Sequence, residues 1–321
     1  MPFPDIEPFV ASHLLLDDGA EIWWEMSGNP QGQPMVWLHG GPGSGLGGGG
    51  YRRRLDPERW QIIGFDQRAC GRSRPLVTAP GFDLDSLTTQ RMIADIEELR
   101  AHLGIDKWLV AGASWGSTLG LAYAEAHPDR VTGIVLLAVT SGSHRELEWI
   151  SEGVGRIFPE AWAELEAASG RRPGQPLLEA YLERLTDPDP QVREAAALAW
   201  CTWEDAHVAI GELGAGIPPG EGMSDRDPEQ RLQIATHVVN NWAHDAWLGE
   251  AGVRDGIDAI AHIPGVLIHG RLDISGPVET PWELHRRWPA SRLVVIETEG
   301  HGGPLMGQEM EAAYASMLEQ V

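Results

Sequence analysis

One stretch constrains this chain more than any other: Trp108-Leu109-Val110-Ala111-Gly112-Ala113-Ser114-Trp115-Gly116-Ser117-Thr118-Leu119. A short apolar run ends in Gly-x-Ser-x-Gly and passes directly into a small-residue helical pattern that extends to Ala126. This reads as a strand, a sharp turn and a helix, with Ser114 at the apex. The glycines at 112 and 116 have a steric purpose, because any larger side chain beside such a turn collides with it. The following helix directs its N-terminal N–H groups at the serine. Gly-x-Ser-x-Gly also arises by chance in a glycine-rich chain, so its meaning depends on the rest of the sequence.

The surrounding sequence alternates strands with helices. Residues 9–28 read as a strand pair turning at Asp17-Asp18-Gly19. Apolar runs at Met35 to Leu38 and Trp60 to Phe65 stop at His39-Gly40-Gly41-Pro42-Gly43 and at Asp66-Gln67-Arg68. Thr88 to Leu103 has apolar residues at 92, 93, 96, 99 and 103, with Gly104 as a C-terminal stop, so it predicts a helix. Val131 to Val139 is a continuous apolar run, the pattern of a strand buried on both faces. This alternation predicts an α/β class: a mostly parallel central sheet with helices on both faces. From 141 to 255 the periodicity becomes helical and rich in Trp, Ala and Glu, which predicts an inserted helical lid. The core therefore comprises 1–140 and 256–321. Strand runs resume at 263–269 and 293–296, and Gln308 to Val321 predicts a closing amphipathic helix. The glycine tract from Gly45 to Gly50 reads as a rim loop, or as backbone approaching a ligand.

Composition narrows the partners. With 24 Lys and Arg against 47 Asp and Glu, the formal charge is −23. Such a field repels nucleic acid and anionic lipid, and it draws cationic groups. Two cysteines, Cys70 and Cys201, are too few for a disulfide scaffold or a structural zinc site, and Cys70 reads as a small buried hydrophobe. The N-terminal residues lack the pattern of a secretory signal, and no apolar run reaches membrane-spanning length. The expectation is a soluble cytoplasmic protein, with its oligomeric state open.

A serine hydroxyl needs a base within hydrogen-bond reach, and that base needs an acid to hold its tautomer. On a doubly wound hydrolase sheet the order is serine, acid, histidine, each after a strand. Asp273 follows the run at 266–269, and His301 follows the run at 293–296. Ser114, Asp273 and His301 are therefore the candidate triad. The backbone N–H groups of Gly41 and Trp115 are candidate oxyanion donors, with Gly40 beside them as a candidate substrate-binding residue. Each such donor typically contributes about 3–4 kcal/mol to the transition state.

His39-Gly-Gly-Pro-Gly, Phe65-Asp-Gln-Arg with Gly71-Arg-Ser, Ser114-Trp-Gly-Ser-Thr-Leu and His269-Gly-Arg-x-Asp273 together resemble the prolyl aminopeptidase (proline iminopeptidase) family of α/β-hydrolases. The resemblance covers nearly the whole chain and is weakest in the lid. It implies release of an N-terminal residue, most often proline, from a small peptide or amide through an acyl-enzyme, with no metal or organic cofactor. Trp200-Cys-Thr-Trp203-Glu204 resembles the family's Trp-x-x-Trp-Glu segment. That match implies Glu204 as the partner of the substrate's α-ammonium, with Trp200 and Trp203 against a pyrrolidine ring. Read from the residues alone, Glu204 is one more helical acid, and the tryptophans are core at helical spacing.

The chain departs from the family pattern where a second amine-binding glutamate is expected. The matching position reads Ala235, two residues before His237, and Val238-Val239 replace an aromatic pair. Asp205, His207 and Asp245 are the candidate substitutes. Smaller departures are Ala69, Ala113 and Gly302. An esterase, lactonase or amidase acting on a small hydrophobic compound therefore remains the alternative. A catalytically silent binding protein is a third reading, which the intact triad disfavours.

Overall fold

The computed structural model describes residues 3–208 and 222–319. The described part of the core has eight strands: β1 (Val10–Leu15), β2 (Glu21–Gly28), β3 (Gln33–Leu38), β4 (Trp60–Phe65), β5 (Trp108–Ala113), β6 (Val131–Leu137), β7 (Gly265–Gly270) and β8 (Ser291–Ile296). They form one sheet in the order β1-β2-β4-β3-β5-β6-β7-β8. The β1–β2 and β2–β4 pairings are antiparallel and the rest are parallel.

Side chains on the central strands alternate between two buried layers, as the period of two requires. Val36, Leu38, Ile63, Val110, Ile134 and Leu267 face the layer of α1 (Thr89–His102) and α2 (Trp115–Ala126). Met35, Ile62, Leu109, Val135, Val266 and Ile268 face the opposite layer, which is filled by Met306, Met310, Tyr314 and Met317 of a C-terminal helix. α1 is capped at both ends, and its C-terminal stop is the one read from sequence. Thr88 accepts from Arg91 N at 3.1 Å, and Gly104 takes φ +68° beyond its C-terminus.

The expected strand over 131–139 ends at Leu137. Ala138 turns to φ +48°, and Val139 N donates to the buried ring of His269. The apolar run outlasts the strand because the turn beneath the site is itself buried.

Between β6 and β7 lie α3 (His144–Ser151), α4 (Pro159–Ser169), α5 (Leu177–Leu185), α6 (Pro190–Val208) and α7 (Pro228–Ala243). They bury a separate cluster that includes Tyr181, Ala197, Trp200, Trp203, Ile234 and Val238. The following turns carry Ala246, Val253 and Ile257 into the same buried layer as α1 and α2. Packing thus passes from lid to core near residue 245, ahead of the boundary expected at 255. Two further helices complete the core: α8 (Glu279–Arg287), which the sequence reading did not anticipate, and α9 (Pro304–Leu318), which begins before the expected Gln308. Residues 320–321 of the expected closing helix, like 209–221 of the lid, lie outside the described residues. No helix among the described residues is long and apolar enough to cross a membrane.

Candidate active site

Ser114 joins β5 to α2 with φ 54° and ψ −124°, a conformation costing about 1–3 kcal/mol that surrounding contacts must hold. Those contacts are present. Ser114 N donates to Leu137 O at 3.0 Å, and its carbonyl accepts from Ser117 Oγ at 2.6 Å and Thr140 Oγ1 at 3.0 Å. A Cβ on Gly116 would come within 2.0 Å of Leu38 O, and one on Gly112 within 2.3 Å of Gly116 O. Only hydrogen fits at either place.

His301, in the loop after β8, places Nδ1 2.9 Å from Asp273 Oδ2. Asp273 is fully buried at the side chain, and its Oδ1 accepts Gly276 N at 3.1 Å. Burial alone would raise the Asp273 carboxyl, but the charge and hydrogen bond of His301 hold it below the usual range. Burial opposes a charge on His301, yet Asp273 and, further off, Glu204 raise its pKa above the ordinary value.

Ser114 and His301 share a cavity of about 70 Å³ with Gly41, Trp115, Glu146, Glu204, Asn241 and Trp242. At about 30 Å³ per water in the liquid, that volume holds two or three waters. Gly40 does not line the cavity but sits against the nucleophile, where an added Cβ would meet Ser114 Cβ at 3.3 Å. Gly41 takes φ +110° at the cavity edge. The Gly45–Gly50 tract folds back instead of facing the cavity, with Leu46 N donating to Asp66 Oδ1 at 2.7 Å.

Glu204 projects from α6 into the cavity, 7 % exposed, with Oε1 lacking a hydrogen-bond partner among the described residues. Burial pushes its pKa up to about 7, against the pull of His301. The two tryptophans expected against the substrate's ring do not line this cavity. Trp200 and Trp203 are 0 % and 1 % exposed in the lid's own core. The aromatic wall is Trp242 of α7, and Trp200 packs edge-on behind it at 5.7 Å. Helical spacing groups residues on one face, but both the lid core and the cavity wall are apolar enough to take an indole.

Ala235 also faces the lid core. None of the suggested substitutes replaces a glutamate there. Asp205 accepts Met223 N and Ser224 N at 2.7 and 2.9 Å, and Asp245 pairs with His144 at 2.8 Å. His207 is held neutral because burial drives its pKa down to about 3. Among the polar cavity residues that the sequence reading missed, two stand out. Glu146 of α3 binds Ser141 N and Ser141 Oγ at 2.8 and 2.6 Å, and also Thr280 Oγ1. Asn241 of α7 is 3 % exposed, with neither amide atom partnered among the described residues. No sequence signal marks either residue, because an orphaned amide is visible only in three dimensions.

The sheet order, the strained serine after β5 and the loops after β7 and β8 define an α/β hydrolase. Residues 33–306 match the family model described as alpha/beta hydrolase fold. The chain belongs, within that fold, to the proline iminopeptidase family. It is 42 % identical over 317 residues to a Streptomyces coelicolor protein named probable proline iminopeptidase, covering 96 % of this chain and 94 % of that one. It is 39 % identical to the Xylella fastidiosa (strain Temecula1) proline iminopeptidase, covering 93 % of each. Solved structures share the fold at lower identity. A Mycobacterium smegmatis proline iminopeptidase superposes with TM-score 0.59 at 21 % identity, covering 97 % of this chain and 98 % of that one. An esterase from Exiguobacterium antarcticum superposes with TM-score 0.59 at 21 % identity, covering 97 % and 100 %.

Proposed function

We propose that this chain removes N-terminal proline, or another small or hydrophobic residue, from short peptides or amides through an acyl-enzyme on Ser114. The observation that carries this reading is the meeting, at one small cavity, of a strained serine, a His301–Asp273 pair and a buried Glu204 with an oxygen unpaired among the described residues. His301 takes the Ser114 proton as Oγ attacks the scissile carbonyl, and Asp273 steadies the imidazolium that forms. The backbone N–H groups of Gly41 and Trp115 receive the oxyanion. His301 then protonates the leaving amine, and the acyl group passes to water. Glu204 pairs with the substrate's α-ammonium, a charge-assisted contact away from bulk solvent. The helices between β6 and β7 serve as the lid that brings Glu204, Asn241 and Trp242 over the serine.

The acidic surface supports small cationic substrates over nucleic acid or anionic membranes. The two buried, free thiols of Cys70 and Cys201 accord with a reducing, cytoplasmic setting. A second reading, an esterase or amidase, draws on Ala235: its burial in the lid core leaves Glu204 as the cavity carboxylate with an unpaired oxygen. The deciding experiment compares kcat/KM on prolyl-4-nitroanilide, its N-acetyl form and a neutral aryl ester, with Ser114→Ala as blank. Preference for the free amine supports the aminopeptidase. Indifference to acetylation, with the ester fastest, replaces it with the second reading.

A further inference from the structure

The two candidate oxyanion donors come from separate parts of the chain, Gly41 after β3 and Trp115 after β5. Both must aim at one oxygen atom. Gln67, just past β4 and 2 % exposed, spans them. The Trp115 indole Nε1 donates to Gln67 Oε1 at 2.9 Å. Gln67 Nε2 donates to the carbonyl of His39 at 2.9 Å, and Gln67 N donates to His39 Nε2 at 3.0 Å.

Chemistry fixes the orientation of this amide. An indole N–H can only donate and a carbonyl oxygen can only accept, so the glutamine cannot be reversed without losing both bonds. His39 is equally constrained. It is buried, which lowers its pKa, and its Nε2 accepts a backbone N–H, so its proton lies on Nδ1, facing Gly40 O at 3.0 Å. His39 and Gly40 lead directly into Gly41. A continuous set of buried hydrogen bonds therefore runs from the residue after the nucleophile to the residues before the second donor.

We propose that Gln67 is a positioning residue that sets the distance between the Gly41 and Trp115 N–H groups. The proposal rests on the oxyanion-hole assignment made above. Gln67 touches no reacting atom and acts through the two backbones it joins. A glutamate in its place accepts from the indole but sets an oxygen against the His39 carbonyl. A methionine keeps the length of the side chain and loses both bonds.

The test uses Gln67→Glu, Gln67→Met and Trp115→Phe in the full chain, with an aldehyde analogue of the substrate (prolinal) and the product proline as competing ligands. The aldehyde adds to Ser114 and generates an oxyanion, whereas proline does not. The expected result is a kcat on prolyl-4-nitroanilide lowered about 10-fold to 100-fold, the scale of a donor misplaced but not lost. KM and the Ki of proline should stay within about twofold of wild type, and the Ki of prolinal should rise with the loss in kcat. Gln67→Met and Trp115→Phe should be non-additive when combined, because each breaks the same bridge.

Proline and prolinal weakening together would overturn the proposal, as would additive losses or an unchanged kcat. If Gln67→Met does not fold, Gln67→Glu and Trp115→Phe carry the same comparison. Failure of the underlying reading looks different. Wild-type enzyme that ignores prolyl-4-nitroanilide and cleaves only the ester rejects the aminopeptidase, and the Gln67 comparison is then made on ester kcat. Wild-type enzyme that binds prolinal no better than proline rejects the oxyanion hole itself.

Discussion

Asp273 holds His301 by a single buried contact, Oδ2 to Nδ1 at 2.9 Å. A second imidazole, His269, lies 3.6 Å from the same oxygen. It does not compete for the charge, because Val139 N donates to its Nδ1 and its Nε2 faces Gly276 O at 2.7 Å. Burial also lowers the pKa of His269, so the carboxylate serves His301. Asp273→Asn keeps the shape but presents an amide that can favour the wrong tautomer of His301. The expected outcome is a kcat loss of about 10⁴-fold with KM little changed, read from steady-state kinetics. A loss below tenfold would remove Asp273 from the mechanism.

Glu204 and His301 are electrostatically linked, and the link has a sign. As pH falls, His301 gains a proton and can no longer act as base, so activity is lost through a pKa raised above 6.5. Glu204 is among the groups that raise it, so Glu204→Gln should move the acidic limb of kcat/KM for a neutral aryl ester to lower pH. For free-amine substrates the same variant should raise KM about tenfold to a hundredfold, the value of one charged hydrogen bond. In wild type, KM for the amine should fall as pH rises through about 7, where Glu204 ionises. An ester limb that stays fixed or moves to higher pH contradicts the linkage.

Asn241 is a buried amide with no partner on either atom among the described residues. It lines the cavity with one donor and one acceptor side available to a ligand. Asn241→Leu removes both at nearly constant shape. Stability and function should therefore separate: Tm stays at or above the wild-type value, and KM for prolyl-4-nitroanilide increases by the severalfold to tenfold that one lost hydrogen bond is worth, about 1 kcal/mol. Calorimetry and kinetics on the same preparation decide it. A variant that loses stability while KM stays constant would make Asn241 a packing residue.

The catalytic constellation was legible because its chemistry imposes order along the chain. Gly112 and Gly116 flank Ser114 for steric reasons, and Asp273 and His301 each follow an apolar run that folds as a strand. The substrate cavity was less legible. Trp200, Trp203 and Glu204 occupy one helix, yet only Glu204 reaches the cavity, because a helical stripe does not say which neighbour it meets. Asn241 and Glu146 left no trace, since polar residues on a helix read as solvent-facing. α8 escaped notice because Trp282 and Leu284 are too few apolar positions to establish a period, and Trp282 is 48 % exposed. The expected lid boundary at 255 fell late because short turns carrying Ala246 and Val253 have no period of their own, although both pack into the core.

Two glycines of α2 provide a final test, since they share a helix and differ in what surrounds them. A Cβ at Gly116 would stand 2.0 Å from Leu38 O and 2.9 Å from His39 O, both backbone atoms of the strand end that leads to Gly41. A Cβ at Gly120 would meet the side chains of Val110, Leu38 and Leu136 at 3.2, 3.4 and 3.6 Å. Side chains can shift by tenths of an ångström, whereas paired strand backbone cannot. Gly116→Ala should therefore destabilise by about 3 kcal/mol or more and abolish turnover, because α2 and β3 must separate at the nucleophile. Gly120→Ala should stay within about 1 kcal/mol of wild type, since the gain in helix propensity offsets the tighter packing. Urea unfolding of the two variants measures the difference. Equal stabilities would mean that the close approach of α2 to β3 does not fix the turn at Ser114.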